Sequence, residues 1–380
     1  MSNLRRFEDF TSERKETSPH PDHEKLLSVT GGLGVLPQEE TGRKDTSSED
    51  KSKYKLVFPG DVVYNTMRLW QGVVGYSRHK GIVSPAYTVL KVNADIVDPI
   101  YLYYAMKSPE MISTFHAYSK GLCDDTNNCK YSTLANIPIN VPKAKVQLSI
   151  IETLRALDDQ ILNHQELISK NETFLLGLRD ELTLNPQKKR DWKSVPLGLL
   201  FSNSKTKGIR DVPMGSVTMH DGLVLRNEVD RKVESELKDE DHLYVEKGNL
   251  AYNMMRMWQG VVGFADRDYL VSPAYVVLKP KKNVCGQFFY YQFRTQKLIR
   301  FFHRFSIGVT DDRLRLYFDD FEKIKTECPS FEYQTEVCKI IEDEQSKVQK
   351  MKEKLVALSF IKNGVASDLL NGRVKIGNSI

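Results

Sequence analysis

The chain has 380 residues, 40% of them hydrophobic, and carries 55 Lys and Arg against 50 Asp and Glu for a formal net charge of +5. That length predicts two domains, and that composition supplies a core for each. No apolar run approaches the roughly 20 residues that span a bilayer, and the charged opening MSNLRRFEDFTSERKE has no secretory apolar segment. Five scattered cysteines (Cys123, Cys129, Cys285, Cys328, Cys338) form no CxxC pair, so neither a zinc ribbon nor a disulfide framework is indicated, and a reducing cytoplasm is the expected location. The mild basicity permits a nucleic-acid partner without demanding one.

The first globular region starts at Leu4–Phe10. The polar stretch Pro37–Tyr54, rich in Glu, Thr, Ser, Lys and Asp, is predicted to be a mobile loop. YKLVFPGDVVYNTM, GIVSPAYTVLKV and LANIPINVP are short runs rich in Val, Ile and Tyr broken by Gly and Pro, which predicts strands. Between them, IYLYYAMKSPEMISTFHAYS predicts one or two short helices.

After Pro142 the texture changes to a long segment with no proline and one glycine. Ile150, Leu154, Leu157, Ile161, His164, Ile168, Asn171, Leu175, Leu178 and Leu182 recur at alternating spacings of 4 and 3, a heptad seam. A helix of roughly 40 residues rises about 60 Å.

The second half repeats the first. Residues 248–279 align without a gap to residues 60–91 at an offset of 188, with 19 of 32 positions identical. GDVVYNTMRLWQGVVG and VSPAYTVLK are matched by GNLAYNMMRMWQGVVG and VSPAYVVLK. Val217-Thr218 answers to Val29-Thr30, and the loop Asn227–Asp241 to Pro37–Tyr54. FFYYQFRTQKLIRFFHRFS again predicts short helices. At an offset of 187, Tyr290-Tyr291, Phe302-His303, Gly308, Asp311-Asp312 and Pro329 answer to Tyr103-Tyr104, Phe115-His116, Gly121, Asp124-Asp125 and Pro142. A second seam follows Pro329 in the same phase: Val337, Ile341, Glu344, Val348, Met351, Leu355, Leu358, Lys362, Val365 and Leu369.

An amphipathic helix of this length must bury its stripe. Strict 3.5 periodicity favours pairing with the other copy's helix over packing on its own globular domain, and the polar seam residues would set register. Two equal units related by a two-fold axis imply an antiparallel pair with a globular domain at each end. The expected architecture is therefore α+β: two similar mixed α/β domains (1–142 and 185–329), each followed by a long helix (143–184 and 330–372) of an antiparallel, pseudo-two-fold coiled coil, with a tail at 373–380.

Two mixed domains, each followed by a long helix that begins after a proline and a nearby glutamine (Gln147, Gln334), resemble the specificity (S) subunits of type I restriction–modification systems. The stretches YNTMRLWQGVVG and YNMMRMWQGVVG, each followed by VSPAY, look like one subtype of their target-recognition domains. The resemblance covers nearly the whole chain. It implies a non-catalytic subunit whose two domains grip the halves of a split double-stranded DNA target. It also implies that the helices hold those domains apart and dock two methyltransferase (M) subunits. S-adenosylmethionine belongs to those adenine-methylating partners, and ATP and Mg to the joining restriction/translocase (R) subunits, so this chain needs no cofactor and no metal. The sequence departs from the family's pattern at one place. A Trp-x-x-(Val/Ile)-x-Leu-Gly element stands clearly only before the second domain, from Trp192 to Gly198, so the first domain is either short at its start or degenerate there.

Direct readout uses side chains that pair bidentately with base edges, Arg with guanine and Asn or Gln with adenine. The repeated block supplies Asn65, Arg68 and Gln71, matched by Asn253, Arg256 and Gln259. Trp70, Trp258, Tyr64 and Tyr252 would pack on sugar or support the loop. The alternative is structural, with Trp70, Val73 and Val74 in the core and Arg68 paired to a carboxylate such as Asp61. Phosphate contacts fix register rather than sequence. Lys205, Lys207, Arg210 and Arg313 are the leading candidates, with Arg43, Lys44, Lys51, Lys53, Arg226, Arg231, Lys232 and Arg315 behind them. Domains this alike predict similar half-sites, while the dissimilar stretches LCDDTNNCKYS and IGVTDDRLRLY predict likeness short of identity.

Three rivals stand beside this reading. An enzyme could use Asp124-Asp125 and Asp311-Asp312 with His116 and His303, but the chain has no phosphate loop, no GxSxG and no Asn-Pro-Pro-Tyr element. A coiled-coil adaptor without DNA accounts for the heptads but not for a duplicated polar–aromatic block. A specificity subunit of a type IIB-like or methylation-only system keeps the role and changes the machine.

Overall fold

The internal repeat becomes a duplication of nearly every element. The computed structural model describes residues 4–32, 34–42, 45, 47–121, 127–184, 192–208, 211–229, 238–310 and 313–374. Two compact units divide it, Met1–Gln165 with Glu353–Ile380, and Glu166–Lys352, so each long helix is shared between them.

In the first unit the strands are β1 (Leu4–Arg6), β2 (Thr11–Arg14), β3 (Leu27–Thr30), β4 (Gly34–Pro37), β5 (Lys55–Val57), β6 (Val62–Asn65), β7 (Val74–Tyr76), β8 (Gly81–Val83) and β9 (Tyr87–Val92). Helices α1 (Pro99–Met106), α2 (Pro109–Tyr118) and α3 (Tyr131–Leu134), strand β10 (Pro138–Asn140) and the long α4 (Ala144–Leu184) follow. An antiparallel sheet in the order β2-β9-β6-β7 is flanked by the pairs β3–β4, β5–β8 and β1–β10. Successive strand residues face opposite ways, so both faces of β6 are used. Val62 and Tyr64 join Leu90, Tyr101 and Leu102 in one core, and Val63 joins Val29, Val35, Val57 and Val89 in another.

The second unit repeats this with β11 (Lys193–Pro196), α5 (Leu197–Leu200), β12 (Phe201–Ser204), β13 (Gly215–Thr218), β14 (Gly222–Leu225), β15 (Leu243–Val245), β16 (Leu250–Asn253), β17 (Val262–Phe264), β18 (Tyr269–Val271) and β19 (Tyr275–Pro280). Then come α6 (Gly286–Phe293), α7 (Gln296–Phe305), α8 (Phe318–Phe321), β20 (Lys325–Cys328) and α9 (Phe331–Leu370). Its sheet order β12-β19-β16-β17 copies the first, and Leu250 and Tyr252 again face away from Ala251.

The first domain's uncertain start is settled by pairing. Strand β1 lies antiparallel to β10, with Leu4 opposite Asn140, as β11 lies along β20 with Lys193 opposite Cys328. The strand is present and degenerate in sequence. The polar stretch Pro37–Tyr54 is not loop throughout: Pro37 ends β4, Gln38–Thr41 forms a 3-10 turn and Tyr54 is buried. Asn227–Asp241 also carries turns at its two ends, and residues 230–237 lie outside the described set.

The proline–glutamine mark before each long helix has a structural reason. Gln147 is buried; its Oε1 accepts from Asp98 N (2.8 Å), and its Nε2 donates to Pro142 O (2.8 Å) and Ile96 O (3.1 Å). Gln334 makes the matching bonds, accepting from Cys285 N (2.8 Å) and donating to Pro329 O (2.9 Å). Each glutamine thus closes backbone groups that burial would otherwise leave unpaired.

Inside each unit the two long helices run antiparallel. In the first, Asn140 Nδ2 donates to Leu370 O (3.1 Å), and further along α4 the Asp158 carboxylate pairs with Lys362, nearer the start of α9. In the second, Glu172 pairs with Lys352 (2.7 Å), while Tyr333 OH donates to Leu182 O (3.2 Å). Every seam residue is at least partly shielded. Ile150, Leu154 and Ile168 are buried on α4, and Leu157, Ile161, Leu175, Leu178 and Leu182 are half-buried. On α9, Ile341 and Val348 are buried and Met351, Leu355, Leu358, Val365 and Leu369 half-buried. Among the polar seam residues, Lys362 reaches across to Asp158 and Glu344 pairs with Lys347 on its own helix.

Candidate nucleic-acid interface

The repeated block is a strand, a tight turn and a second strand. In the first unit Asn65 ends β6 and accepts, through Oδ1, the N–H of Met67 (3.0 Å). Arg68 N donates to Asn65 O (3.1 Å), Gln71 N to Arg68 O (3.0 Å) and Gly72 N to Leu69 O (2.8 Å). The turn ends at Gly72 with φ +75°, a conformation that glycine adopts without strain. Asn253, Arg256, Gln259 and Gly260 repeat every bond, with φ +79° at Gly260.

The second glycine of the block serves a close approach. A Cβ on Gly75 would stand 2.6 Å from Val35 N, and one on Gly263 2.4 Å from Leu223 N, so the β3–β4 and β13–β14 hairpins cross β7 and β17 backbone to backbone. Those hairpins are tied down by residues the sequence reading passed over. Lys107 Nζ donates to Gly31 O (2.8 Å), and Arg294 Nη2 to Met219 O (2.8 Å) and His220 O (2.9 Å). Burial lowers the Lys107 ammonium from its ordinary value.

Thr66 and Met254 gather three segments at one end of each sheet. Thr66 N donates to Ala86 O (3.1 Å) in the VSPAY turn, and Cys129 N donates to Thr66 O (2.9 Å). Met254 N donates to Ala274 O (3.4 Å) and Leu316 N to Met254 O (2.9 Å). The repeated VSPAY motif is therefore part of the frame that holds the turn. In the first unit a 310 Å³ hollow opens beside Asn65, bordered by Gln38, Tyr54, Ser84 and Tyr87.

The aromatic residues separate into two roles. Tyr64 and Tyr252 are fully buried and burial pushes both phenols up, so neither lies on the surface where it could pack on sugar. Trp70 and Trp258 are half-buried clamps: each indole Nε1 donates to a turn carbonyl, Met67 O and Met255 O, both at 3.0 Å. Each packs edge-on against a histidine, His116 at 5.3 Å and His303 at 5.6 Å.

What the turn leaves outside is Met67, Arg68 and Gln71, and in the copy Met255 and Arg256. The side chains of Arg68 and Arg256 are exposed with no hydrogen-bond or ion-pair partner among the described residues. Asp61 pairs instead with Arg14, through bonds of 2.9 and 3.1 Å that raise the guanidinium's pKa, which removes the structural alternative for Arg68. Gln259 is half-buried, and its Oε1 has no partner among the described residues.

Lys205, Lys207 and Arg313 are exposed. Ser204 pairs with Val277 and Asn253 with Tyr275, so Lys205 follows β12 at the end of the sheet that carries the turn. Arg313 sits in the segment that returns to Met254 through Leu316. Arg210, Arg43, Lys44, Arg231, Lys232 and both aspartate pairs, Asp124-Asp125 and Asp311-Asp312, lie outside the described residues.

The exposed arginine turn thus stands twice in the chain, once in each unit, on the same local frame. A family model for the type I restriction modification DNA specificity domain matches residues 37–171. The HindI type I restriction enzyme specificity subunit of Haemophilus influenzae is 26% identical over 115 residues, 29% of this chain and 25% of that protein. The chain thus matches about a quarter of that relative's length. A chain from a structure of the type I R-M system, described for its complex assembly and conformational transition, superposes with a TM-score of 0.65 at 13% identity, covering 98% of both chains. The HsdS subunit from Thermoanaerobacter tengcongensis gives 0.55 at 14% identity, covering 98% of this chain and 97% of that one. The type I S subunit from M. genitalium gives 0.51 at 16%, covering 97% and 95%. At these identities the solved structures speak for the fold. Residues 37–171 are thus similar to the type I restriction modification DNA specificity domain, and the fold over nearly the whole chain is that of the solved specificity subunits.

Proposed function

We propose that this chain is the sequence-reading, non-catalytic subunit of a type I restriction–modification complex in the cytoplasm. Each unit reads one half of a bipartite double-stranded DNA target. The observation that carries this reading is the duplicated Arg68/Arg256 turn. No described residue pairs with either guanidinium, and an exposed guanidinium on a rigid turn suits bidentate contact with a guanine edge. Gln71 and the amide of Gln259 stand beside it, while Asn65 and Asn253 hold the turn's shape and border the base-reading surface. Lys205, Lys207, Arg210 and Arg313 contact phosphates of the second half-site. Trp70 and Trp258 act from beneath, as supports.

The long helices leave apolar side chains outside their seam. Leu162, Phe174, Val356, Phe360 and Ile361 are each at least half exposed, which supports a protein partner on the outer faces. The two M subunits are the expected partners, bringing S-adenosylmethionine; R subunits bring ATP and Mg. Because the two turns are alike and the neighbouring loops are not, the half-sites are related in sequence without being identical. Co-expression with an adenine methyltransferase subunit encoded beside this chain, followed by mapping of methylated adenines, tests the reading. The expected motif has two related halves around a non-specific gap. A continuous motif, or none above background, rules it out.

A further inference from the structure

The second unit holds two thiols that neither the recognition surface nor the helix seam uses. Cys285 is the N-cap of α6 and Cys338 lies in the first part of α9, and their Sγ atoms are 3.6 Å apart across 53 residues of chain. Cys338 is 5% exposed, while Cys285 is half-buried and open to small reagents. The corresponding positions of the first unit hold no cysteine. Its counterparts, 187 residues earlier, are Asp98, which caps α1 by accepting from Ile100 N (2.7 Å), and buried Ile151. The two positions therefore differ together, an acid with an isoleucine in one copy and two cysteines in the other.

A neutral thiol is a poor helix cap, whereas a thiolate at a helix start is favoured by the amides there. The Cys285 thiol is lowered from its ordinary value, first by the hydrogen bond from Cys338 and then, against burial, by the backbone amides of Phe288 and Gln287. The Cys338 thiol is raised by the same bond and by burial. Reactivity is thus concentrated on the more accessible sulfur, and the second sulfur waits within reach.

We propose that Cys285 and Cys338 form an oxidisable dithiol that closes to an intramolecular disulfide on reaction with a hydroperoxide, clasping α6 to α9 in the second unit alone. The Cys285 thiolate attacks one peroxide oxygen, the O–O bond breaks, and the departing hydroxide takes up a proton as water, leaving a sulfenic acid. The Cys338 sulfur, losing its proton, then attacks the Cys285 sulfur and expels the sulfenic oxygen as a second water. Two thiols and one hydrogen peroxide give one disulfide and two waters. The sulfurs move from 3.6 Å to the about 2.05 Å of an S–S bond. Cys328 has a different partner: its Sγ accepts a hydrogen bond from Gln334 Nε2.

The test uses the full chain treated with hydrogen peroxide, alkylated and mapped under non-reducing conditions. The expected product is a linked peptide pair containing Cys285 and Cys338, with two of the five thiols lost and recovered by dithiothreitol. Cys328→Ser and Cys129→Ser should oxidise as the parent does. Cys338→Ala should arrest Cys285 as a sulfenic acid that dimedone traps. Cys285→Asp copies the cap of the first unit, so it should fold normally, lose no paired thiols and show none of the rise in unfolding midpoint that peroxide gives the parent. Full alkylation of Cys285 and Cys338 after peroxide, or a bridge from Cys285 to Cys328 or to a second chain, would overturn the proposal.

Discussion

The two units share a frame and differ in their filling. Both hold the arginine turn by the same bonds: Asn65 or Asn253 on the turn amide, Thr66 or Met254 between two neighbouring segments, and tryptophan on a turn carbonyl. The interiors diverge. The second core gathers Phe201, Phe288, Phe289, Phe293, Phe302 and Phe321 edge to face, where the first relies on Tyr101, Leu102, Met106 and a single phenylalanine from its short helices, Phe115. Buried Gln292 ties α6 to Thr183 O (2.9 Å), Glu327 O (3.0 Å) and Thr326 Oγ1 (2.7 Å), at the position of Ala105 in the first copy. The partly buried Arg14–Asp61 pair of the first unit has no equivalent at Asn249. Cores tolerate such exchanges when volume and pattern are kept. The packing differs between the copies, while an exposed arginine stands at the same place of the turn in both, at Arg68 and Arg256.

If the frame is common to both units, breaking it should cost the same in each. Gly75→Ala and Gly263→Ala each push a methyl into backbone and should destabilise their unit by about 3 kcal/mol, read by denaturant unfolding. A loss in one unit only would break the equivalence. Removing a filling should instead cost one unit alone. Arg14→Met leaves the Asp61 carboxylate short of its partner and should cost about 2 kcal/mol in the first unit, with the second unit's transition unmoved. Gln147→Leu and Gln334→Leu remove matched buried bonds and should each cost about 2 kcal/mol.

The smallest effects sharpen the comparison along the helix pair. Asp158 is three-tenths exposed and also accepts from Tyr104 OH (2.7 Å), whereas Glu172 and Lys352 are each about half exposed. Lys362→Met should therefore cost about 1 kcal/mol and Lys352→Met only a few tenths, roughly. High salt should erase the second effect and leave most of the first.

Much of this was legible in the sequence wherever a period or a copy carried the signal. The heptad stripe announced two long helices, since one spacing rule acts on every turn of a helix. The repeat placed the turn, and its glycines were there to be read as bends or close approaches. Contacts set by distant backbone left no local mark. Thr66 and Met254 are different residues doing one job through main-chain atoms, and Arg14 reaches Asp61 across 47 residues. Strand β1 is exposed and lacks the tryptophan that announces β11, so only its pairing to β10 reveals it. Cys285 and Cys338 are scattered along the chain until α6 docks on α9.

The central claim is that two like turns interrogate separate halves of one DNA target. The most direct measurement maps adenine methylation for Arg68→Ala and Arg256→Ala, each co-expressed with the methyltransferase subunit, beside thermal unfolding of the purified variants. Both should fold as the parent does, within about 0.5 kcal/mol. Each should relax one half of the motif and leave the other intact, costing about 1–3 kcal/mol of discrimination at the affected base. Unchanged motifs in both variants, or the same half relaxed by both, would contradict the account.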